Sequence, residues 1–289
     1  MDFIEVLKIV FIGIIEGITE WLPVSSTGHM MIFNHFFPLG LSDAFVEVFE
    51  YVIQLGAILA VIVLFINKLW PIKRKTVDGE NGAEPIRKIY ADRGVLRTWL
   101  KVVIACIPAV VAVVADKIFD TIENKTAMIV IVASMLIIYG IAFIVVETVN
   151  AKRQPKITAV DDIDYKTAFF IGCFQILAAV PGTSRSGITI IGALIIGVAR
   201  PAAAEFTFFL AVPTMVGASG YKIVKYLVNG NAFGMPEISA MLLGMAVAFA
   251  VSLATIKFLM NFVKKHDFKP FGIYRIILGV AVVGLCIFL

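Results

Sequence analysis

Residues 16–29 of the chain read EGITEWLPVSSTGH. This polar stretch is flanked by apolar sequence, yet it brings two carboxylates, several hydroxyl groups, a glycine and a histidine. Ionisable groups at membrane depth cost free energy and usually mark a functional site. A second stretch at 175–189, QILAAVPGTSRSGIT, has a similar layout and adds Arg185. We expect the two stretches to form loops that meet and bind a phosphate group.

Composition places the chain among integral membrane proteins. Hydrophobic residues make up 60% of its 289 residues and charged residues 16%, which lies well outside the average of soluble domains. A membrane-spanning helix needs about 20 mostly apolar residues. The stretches of this kind are 45–66, 98–116, 126–147, 203–226, 238–262 and 271–289. The remaining apolar segments are short or interrupted, and they lie at 3–21, 29–38, 166–180 and 188–199.

The distribution of basic residues predicts the topology. Lysine and arginine are concentrated in the loops at 67–101, 148–166 and 263–270. By the positive-inside rule these loops lie in the cytoplasm, and the loop at 227–237 lies outside. The segments 3–38 and 166–199 must then enter the membrane and return to the same side, the first from outside and the second from inside. Each has room for only two short helices, which predicts two re-entrant hairpins. The basic excess thus reflects topology and does not indicate nucleic-acid binding.

The two halves of the chain also resemble each other. Aligning Gly28 with Gly187 places Thr27 on Ser186. We therefore predict an all-α polytopic membrane protein with an inverted-topology repeat, in which each half is a re-entrant helical hairpin plus three transmembrane helices.

The predicted domain organisation is a single integral membrane domain over 1–289. Residues 1–147 form the first repeat and 160–289 the second. The polar segment 67–97 is expected to be a cytoplasmic loop; a solvated connector is the favoured interpretation, and a short amphipathic helix lying on the surface is the alternative.

The carboxylate pair predicts a metal site. Glu16 and Glu20 are four residues apart, so they share one face of a helix. Their mutual repulsion would be relieved by a divalent cation, and Mg²⁺ typically takes one or two carboxylates plus phosphate oxygens. The alternatives are that each carboxylate caps nearby backbone or points to water, and a general-base role is compatible with the metal.

A hydroxyl-rich turn follows, made of Ser25, Ser26 and Thr27. Such residues are good helix N-caps, but hydroxyls and backbone N–H groups at a helix N-terminus also bind anions. His29 lies within reach of Ser25 or Ser26. A serine beside a histidine indicates a nucleophile with its base, or a histidine that protonates a leaving group.

The second stretch supplies a cation among small and hydroxyl residues, namely Gly182, Thr183, Ser184, Arg185 and Ser186. An arginine at the tip of a hairpin in the membrane needs an anionic partner. The planar fork of Arg185 suits phosphate oxygens, whereas an ion pair with Glu16 or Glu20 is the alternative. The whole set is typical of phosphoryl transfer or phosphate recognition. A secondary transporter or a lipid-phosphate flippase would use the same architecture, but the serine–histidine pair favours an enzyme.

The motifs EGITEWLPVSSTGH and PGTSRSGIT closely resemble the two signatures of the undecaprenyl-pyrophosphate phosphatase family, also called bacitracin-resistance proteins. The segment FEYVIQLGAILAV at 49–61 is similar to a third block of that family. The resemblance runs from about residue 10 to the C-terminus.

This resemblance implies hydrolysis of undecaprenyl pyrophosphate to undecaprenyl phosphate and inorganic phosphate, which recycles the lipid carrier for peptidoglycan synthesis. It implies a divalent cation, Mg²⁺ or Ca²⁺, and a multi-pass protein of the bacterial plasma (inner) membrane whose active site faces outside. The expected partners are the polyprenyl pyrophosphate and membrane lipid but no nucleic acid, with bacitracin competing by sequestering the substrate. A homodimer is one expected assembly.

The resemblance also implies roles for the individual residues. Glu16 and Glu20 would hold metal or activate water, Ser26 would be the nucleophile, His29 its partner, and Arg185 the phosphate clamp. The residues expected to bind substrate are Ser25, Thr27, Gly182, Thr183, Ser184 and Ser186. Ser26, His29 and a water all stay open as the attacking group.

Overall fold

The structure is a computed structural model that describes residues 2–77, 86–120 and 124–288. Nearly all of its regular structure is helical. The helices are α1 (Phe3–Thr19), α2 (Ser26–Phe36), α3 (Asp43–Leu64), α4 (Ile66–Leu69), α5 (Arg93–Asp120), α6 (Lys125–Asn150), α7 (Tyr165–Gln175), α8 (Arg185–Ile196), α9 (Arg200–Val228), α10 (Met235–Phe262) and α11 (Lys269–Phe288). Short 3-10 turns follow at Val160–Asp162 and Ile176–Ala179.

Within the described residues, five helices are long and apolar enough to cross a membrane. They are Asp43–Leu64, Arg93–Val111, Thr126–Asn150, Arg200–Val228 and Met235–Phe262. Each coincides with a stretch predicted to span, so the chain is a multi-pass α-helical membrane protein. The remaining predicted span, 271–289, corresponds to α11, and the side chains of its last residues lie outside the described part.

The short apolar segments form two consecutive pairs of helices, α1 with α2 and α7 with α8. Irregular backbone joins the members of each pair. Loop 1, residues 20–25, joins α1 to α2, and loop 2, residues 180–184, follows the 3-10 turn after α7 and leads into α8. These two loops carry the polar motifs.

Glycine allows each pair to pack closely against a long helix. A Cβ atom on Gly13 of α1 would lie 2.9 Å from Val247 Cβ on α10. A Cβ atom on Gly172 of α7 would lie 2.1 Å from the carbonyl oxygen of Ala105 on α5. Small residues at such contacts let membrane helices approach backbone to backbone. The first member of each pair is thereby held rigidly beside a long helix.

The apolar core lies next to the loops. Phe206, Phe208 and Phe209 of α9 are fully buried, and Trp21 of loop 1 is 1% exposed. The Trp21 ring meets Phe208 edge-on with 5.3 Å between ring centroids, a favourable aromatic geometry. Loop 1 is therefore anchored in the core by its own side chain.

The surface helix given as the alternative form of the polar segment is wrong. Within the polar segment 67–97 the structure has two antiparallel strands, β1 (Ile72–Val77) and β2 (Ile86–Ala91), in place of a surface helix. Ile72 pairs with Ala91 and Val77 with Ile86, while the connecting residues 78–85 lie outside the described part. Half of the residues in each segment are strand formers despite the charge of the others: Ile72, Thr76, Val77, Ile86, Ile89 and Tyr90. The all-α class thus needs this small exception.

Candidate active site

Both loops end in the same unusual turn. Ser25, the N-cap of α2, has φ 74° and ψ 102°, and Ser184, the N-cap of α8, has φ 66° and ψ 112°. A positive φ is uncommon for a residue other than glycine and concentrates at functional sites. Ser25 Oγ accepts a hydrogen bond from the Gly28 N–H at 3.5 Å, and Ser184 Oγ accepts one from the Gly187 N–H at 3.2 Å. The capping role that the sequence offered for the Ser25–Thr27 turn is therefore present at Ser25, and Ser184 plays the same role in loop 2.

Gly182 gives loop 2 its close approach to α6. Its φ is 88°, and a Cβ atom there would lie 2.7 Å from both Cα and the carbonyl oxygen of Val132. A side chain would clash with backbone that cannot move aside, and the positive φ would add strain. Gly182 thus shapes the loop through its backbone.

Glu20 and Arg185 join the two loops by an ion pair. Arg185 Nη2 donates to Glu20 Oε1, and Arg185 Nη1 donates to Thr214 Oγ1 of α9 at 3.0 Å. The Arg185 side chain is 22% exposed and the Glu20 side chain is 8% exposed. The internal partner that the sequence offered for Arg185 is thus real. A phosphate group would compete with Glu20 for the same guanidinium fork, so the phosphate role of Arg185 stays a prediction.

Two serines, Ser26 of α2 and Ser186 of α8, converge on Glu20. Ser26 Oγ donates to Glu20 Oε2 at 3.2 Å, and Ser186 Oγ donates to the Glu20 backbone carbonyl at 3.0 Å. Glu20 therefore contacts the first turns of both α2 and α8 with separate atoms. A carboxylate within hydrogen-bond reach of a serine hydroxyl can accept its proton.

His29 is held by two other groups. Its Nδ1 lies 2.7 Å from the Ser25 carbonyl oxygen, and its Nε2 lies 2.7 Å from the Tyr274 hydroxyl. The two rings are stacked, with 5.6 Å between centroids. Because a carbonyl can only accept, Nδ1 carries a proton, and in the neutral ring Nε2 accepts from Tyr274. In this geometry Ser26 is hydrogen-bonded to a carboxylate and not to the imidazole.

Glu16 lies on α1 one turn before Glu20. It is 2% exposed, and its Oε1 has no hydrogen-bond partner. A buried carboxylate oxygen without a partner is costly, and a cation is the natural way to satisfy it. Among the described residues, no group of three or more His, Cys, Asp or Glu side chains is arranged to hold a metal. Two carboxylates nevertheless fit a cation whose other ligands are phosphate oxygens, so the metal remains a prediction.

The other residues predicted to bind substrate differ in whether they face the cluster around Glu20 and Arg185. Ser184 Oγ lies 3.3 Å from Ser186 Oγ, beside Arg185. Thr183 is buried, and its carbonyl points away toward α11. Thr27 is exposed and makes no hydrogen bond to this cluster in the described part of the chain. The structure therefore gathers every predicted side chain near the two loops, with Thr27 at the margin.

Sequence reasoning missed three neighbours of these residues. Thr214 supports Arg185, Tyr274 supports His29, and Arg275 donates to carbonyls of both loops. Arg275 carried a readable signal, because an arginine inside the apolar stretch 271–289 marks function by the same rule that selected Glu16.

Comparisons with known proteins agree with the motifs. A family model described as "Bacitracin resistance protein BacA" matches residues 9–281. The chain belongs to this family. The resemblance stated from the two loop motifs is thereby confirmed, and both loops and Arg275 fall inside the matched residues.

Similar proteins carry one common name. A protein of Enterococcus faecalis named undecaprenyl-diphosphatase is 53% identical over 283 residues, covering 98% of this chain and 97% of the relative. A protein of Lachnoclostridium phytofermentans with the same name is 51% identical over 285 residues, covering 98% of each chain. A third, from Streptococcus thermophilus, is 48% identical over 279 residues, covering 96% of this chain and 92% of the relative.

Proposed function

We propose that this protein is an undecaprenyl-diphosphatase, which hydrolyses undecaprenyl pyrophosphate to undecaprenyl phosphate and inorganic phosphate. The relatives that match it over nearly their whole length bear that name. The observation that carries the proposal is the meeting of Ser26 and Arg185 at one carboxylate, Glu20. This arrangement combines a hydroxyl nucleophile, a base and a phosphate anchor.

Phosphate binding falls to the two helix N-termini and Arg185. The N-termini of α2 and α8 follow loops 1 and 2, and such ends attract anions through their free N–H groups and dipole. The Arg185 fork exchanges its contact with Glu20 for oxygens of the terminal phosphate. Ser184 and Ser186 lie beside this fork and supply further donors. The prenyl chain then extends into the lipid between helices.

The transfer step uses Ser26 and Glu20. Glu20 takes the Ser26 hydroxyl proton while Ser26 Oγ forms a bond to the terminal phosphorus. The bond between that phosphorus and the bridging oxygen breaks, and undecaprenyl phosphate leaves with the electron pair. The proton on Glu20 then leaves to solvent. A water attacks the phosphorus of the phosphoserine while Glu20 takes one of its protons; the bond from phosphorus to Ser26 Oγ breaks, Oγ regains that proton from Glu20, and inorganic phosphate leaves. Direct attack by a water, with Glu20 again as base, is the competing route.

His29 has a different role from Glu20. Its Nδ1 hydrogen bond holds the Ser25 carbonyl, which fixes the turn that presents Ser26. Tyr274 holds the opposite ring nitrogen. We therefore assign His29 to orienting the turn and proton removal to Glu20.

The divalent cation, Mg²⁺ or Ca²⁺, would be held by Glu16 and Glu20. It would neutralise negative charge on the pyrophosphate oxygens. The unsatisfied Oε1 of Glu16 supports this placement.

The inverted repeat is part of the same proposal. Helix α1 packs on α10 while its counterpart α7 packs on α5, and α6 packs on its own counterpart α11. The alignment that places Gly28 on Gly187 also places Gly13 on Gly172. Gly13 and Gly172 are the two residues that make the close helix contacts described above. These pairings support two halves related by a pseudo-twofold axis, with 1–147 and 160–289 as the repeats.

Orientation follows from the basic loops. We place the protein in the plasma (inner) membrane with the loops accessible from outside. Bacitracin would compete there by sequestering the substrate. A homodimer is the proposed assembly.

In a chain freed of its native cysteines, single cysteines within 227–237 should react with an impermeant reagent added outside. A cysteine at position 201 should react only after the membrane is opened. Labelling of 201 from outside would contradict the re-entrant hairpin.

The activity itself is tested by phosphate release. Purified protein should release inorganic phosphate from undecaprenyl or farnesyl pyrophosphate, and EDTA should stop the release. Ser26→Ala protein provides the matched control. Absence of phosphate release, together with movement of a lipid phosphate between the leaflets of reconstituted vesicles, would instead favour the flippase.

A further inference from the structure

Arg275 is a fully buried cation in the apolar helix α11, with 0% of its surface exposed. A charge at such a site is expensive unless it is well satisfied. In the part of the chain that the structure describes, its hydrogen-bond acceptors are all backbone carbonyls and none is a carboxylate. Ion pairing therefore does not explain its presence.

The segments to which these carbonyls belong indicate the role of Arg275. Nη1 donates to Pro23 of loop 1 at 3.4 Å, and Nη2 donates to Gly182 and Thr183 of loop 2 at 3.0 Å each. A further bond at 3.3 Å reaches Met135 of α6. One guanidinium thus binds both loops and fixes them to the α6–α11 pair.

The bound carbonyls lie in irregular backbone, where regular helical hydrogen bonds do not satisfy the polar groups. Pro23 precedes Ser25 by two residues, and Thr183 directly precedes Ser184; both serines have positive φ. Irregular backbone at membrane depth is tolerated only when its polar groups find partners in the protein. Arg275 supplies those partners for both turns with a planar group whose donors point in fixed directions.

We propose that Arg275 is a positioning residue that sets the distance between Ser26 and Arg185. Each of these residues begins a helix directly after the turn that Arg275 holds. Among the described residues, further hydrogen bonds between the two helix pairs are accepted by Glu20, from Arg185 and Ser186. Because a phosphate would compete for Arg185, the guanidinium of Arg275 keeps the loops in register when the Glu20 contact is exchanged for substrate. This inference rests on the proposed phosphatase function.

The test compares Arg275→Lys and Arg275→Gln with wild type. A lysine keeps the charge but a single ammonium cannot reach carbonyls of both loops, and a glutamine loses both charge and reach. We expect kcat per folded molecule to fall about 100-fold in Arg275→Lys, because a misplacement of about 1 Å at reacting groups costs this much. Glutamine should cost at least as much, and KM should change little in both variants.

Arg200→Lys is the matched control. Arg200 also forms a planar, bidentate contact with a fully buried partner, Glu147, with bonds of 2.9 and 2.6 Å. This pair lies away from both loops. Arg200→Lys should lower thermal stability but leave kcat and KM of the folded protein unchanged. Hydrogen exchange adds a local measurement: peptides covering 21–28 and 181–188 should exchange faster in the Arg275 variants and normally in Arg200→Lys.

The outcomes separate the inference from the function. If wild type releases no phosphate from lipid pyrophosphates, the proposed function fails. If wild type is active and Arg275→Lys matches it in kcat, with unchanged exchange in the loops, the positioning role is wrong. Failure of both Arg275 variants to fold would also count against the role, because it would assign Arg275 to global stability.

Discussion

Loop 1 and loop 2 share one turn, but loop 1 carries the carboxylate of Glu20 and the first residue after loop 2 is the cation Arg185. Each ends in a serine N-cap with a positive φ whose hydroxyl accepts from a glycine N–H three residues later. The residue that begins the helix differs: it is Ser26 after loop 1 and Arg185 after loop 2. Equivalent backbone positions thus present the proposed nucleophile on one side and the proposed phosphate anchor on the other. The comparison teaches that the turn positions a group, and the side chain decides its task.

The strongest way to break this comparison is to remove the hydroxyl that begins α2. We expect Ser26→Ala to lower kcat by about 1000-fold or more, because the phosphoryl acceptor is lost while the binding groups stay. Ser239→Ala, which removes an exposed hydroxyl on α10, should leave kcat unchanged. Phosphate release from the lipid pyrophosphate measures both, and mass spectrometry of quenched wild-type enzyme should find phosphate on Ser26. Substantial turnover by Ser26→Ala would favour direct attack by water.

The corresponding change after loop 2 is Arg185→Lys. It keeps the charge but removes the planar fork, so we expect about a 100-fold loss in kcat/KM, at the strong end for a lost bidentate phosphate contact. Steady-state kinetics with Arg200→Lys as control checks this. A nearly normal Arg185→Lys would mean that the arginine serves mainly as the ion-pair partner of Glu20.

Sequence patterns predicted the helix pairs, because Glu16 and Arg185 stand out in apolar surroundings and because short apolar segments cannot cross a membrane. They did not predict the contact between Ser26 and Glu20. That contact crosses an irregular turn, where helical periodicity gives no information, whereas the expected partner His29 was chosen by helical spacing.

Two other features escaped for different physical reasons. Arg275 was overlooked because the stretch 271–289 was treated as one apolar helix. The carbonyl partners of Arg275 lie in segments distant in sequence and are therefore not visible in the local pattern. The strands β1 and β2 were missed because the polar residues, glycines and prolines of that segment were taken to indicate a solvated loop. Local composition reveals which residues are unusual, but their partners depend on tertiary packing.

Two carboxylates, Glu16 on α1 and Glu20 in loop 1, distinguish the first helix pair from the second, and Glu16 tests that difference. Glu16→Gln should raise the Mg²⁺ concentration for half-maximal activity by about tenfold or more, since even indirect metal partners contribute 10–100-fold in affinity. Glu5→Gln changes a carboxylate on the same helix that pairs with Lys8, and its metal response should match wild type. An unchanged Mg²⁺ response in Glu16→Gln would remove Glu16 from the metal site.

The smallest expected effect tests whether the two turns are physically alike. At an ordinary N-cap, alanine costs about 1 kcal/mol of stability and glycine a few tenths. At Ser25 and Ser184, alanine would in addition retain a strained positive φ, worth about 1–3 kcal/mol, which glycine relieves. The alanine-to-glycine difference in unfolding free energy should therefore be larger at Ser25 and Ser184 than at Ser42, an N-cap with φ −62°. Thermal unfolding of the six variants in detergent measures it. Equal differences at all three serines would show that the positive φ stores no strain, and a difference between Ser25 and Ser184 would show that the shared turn is held by different forces in the two loops.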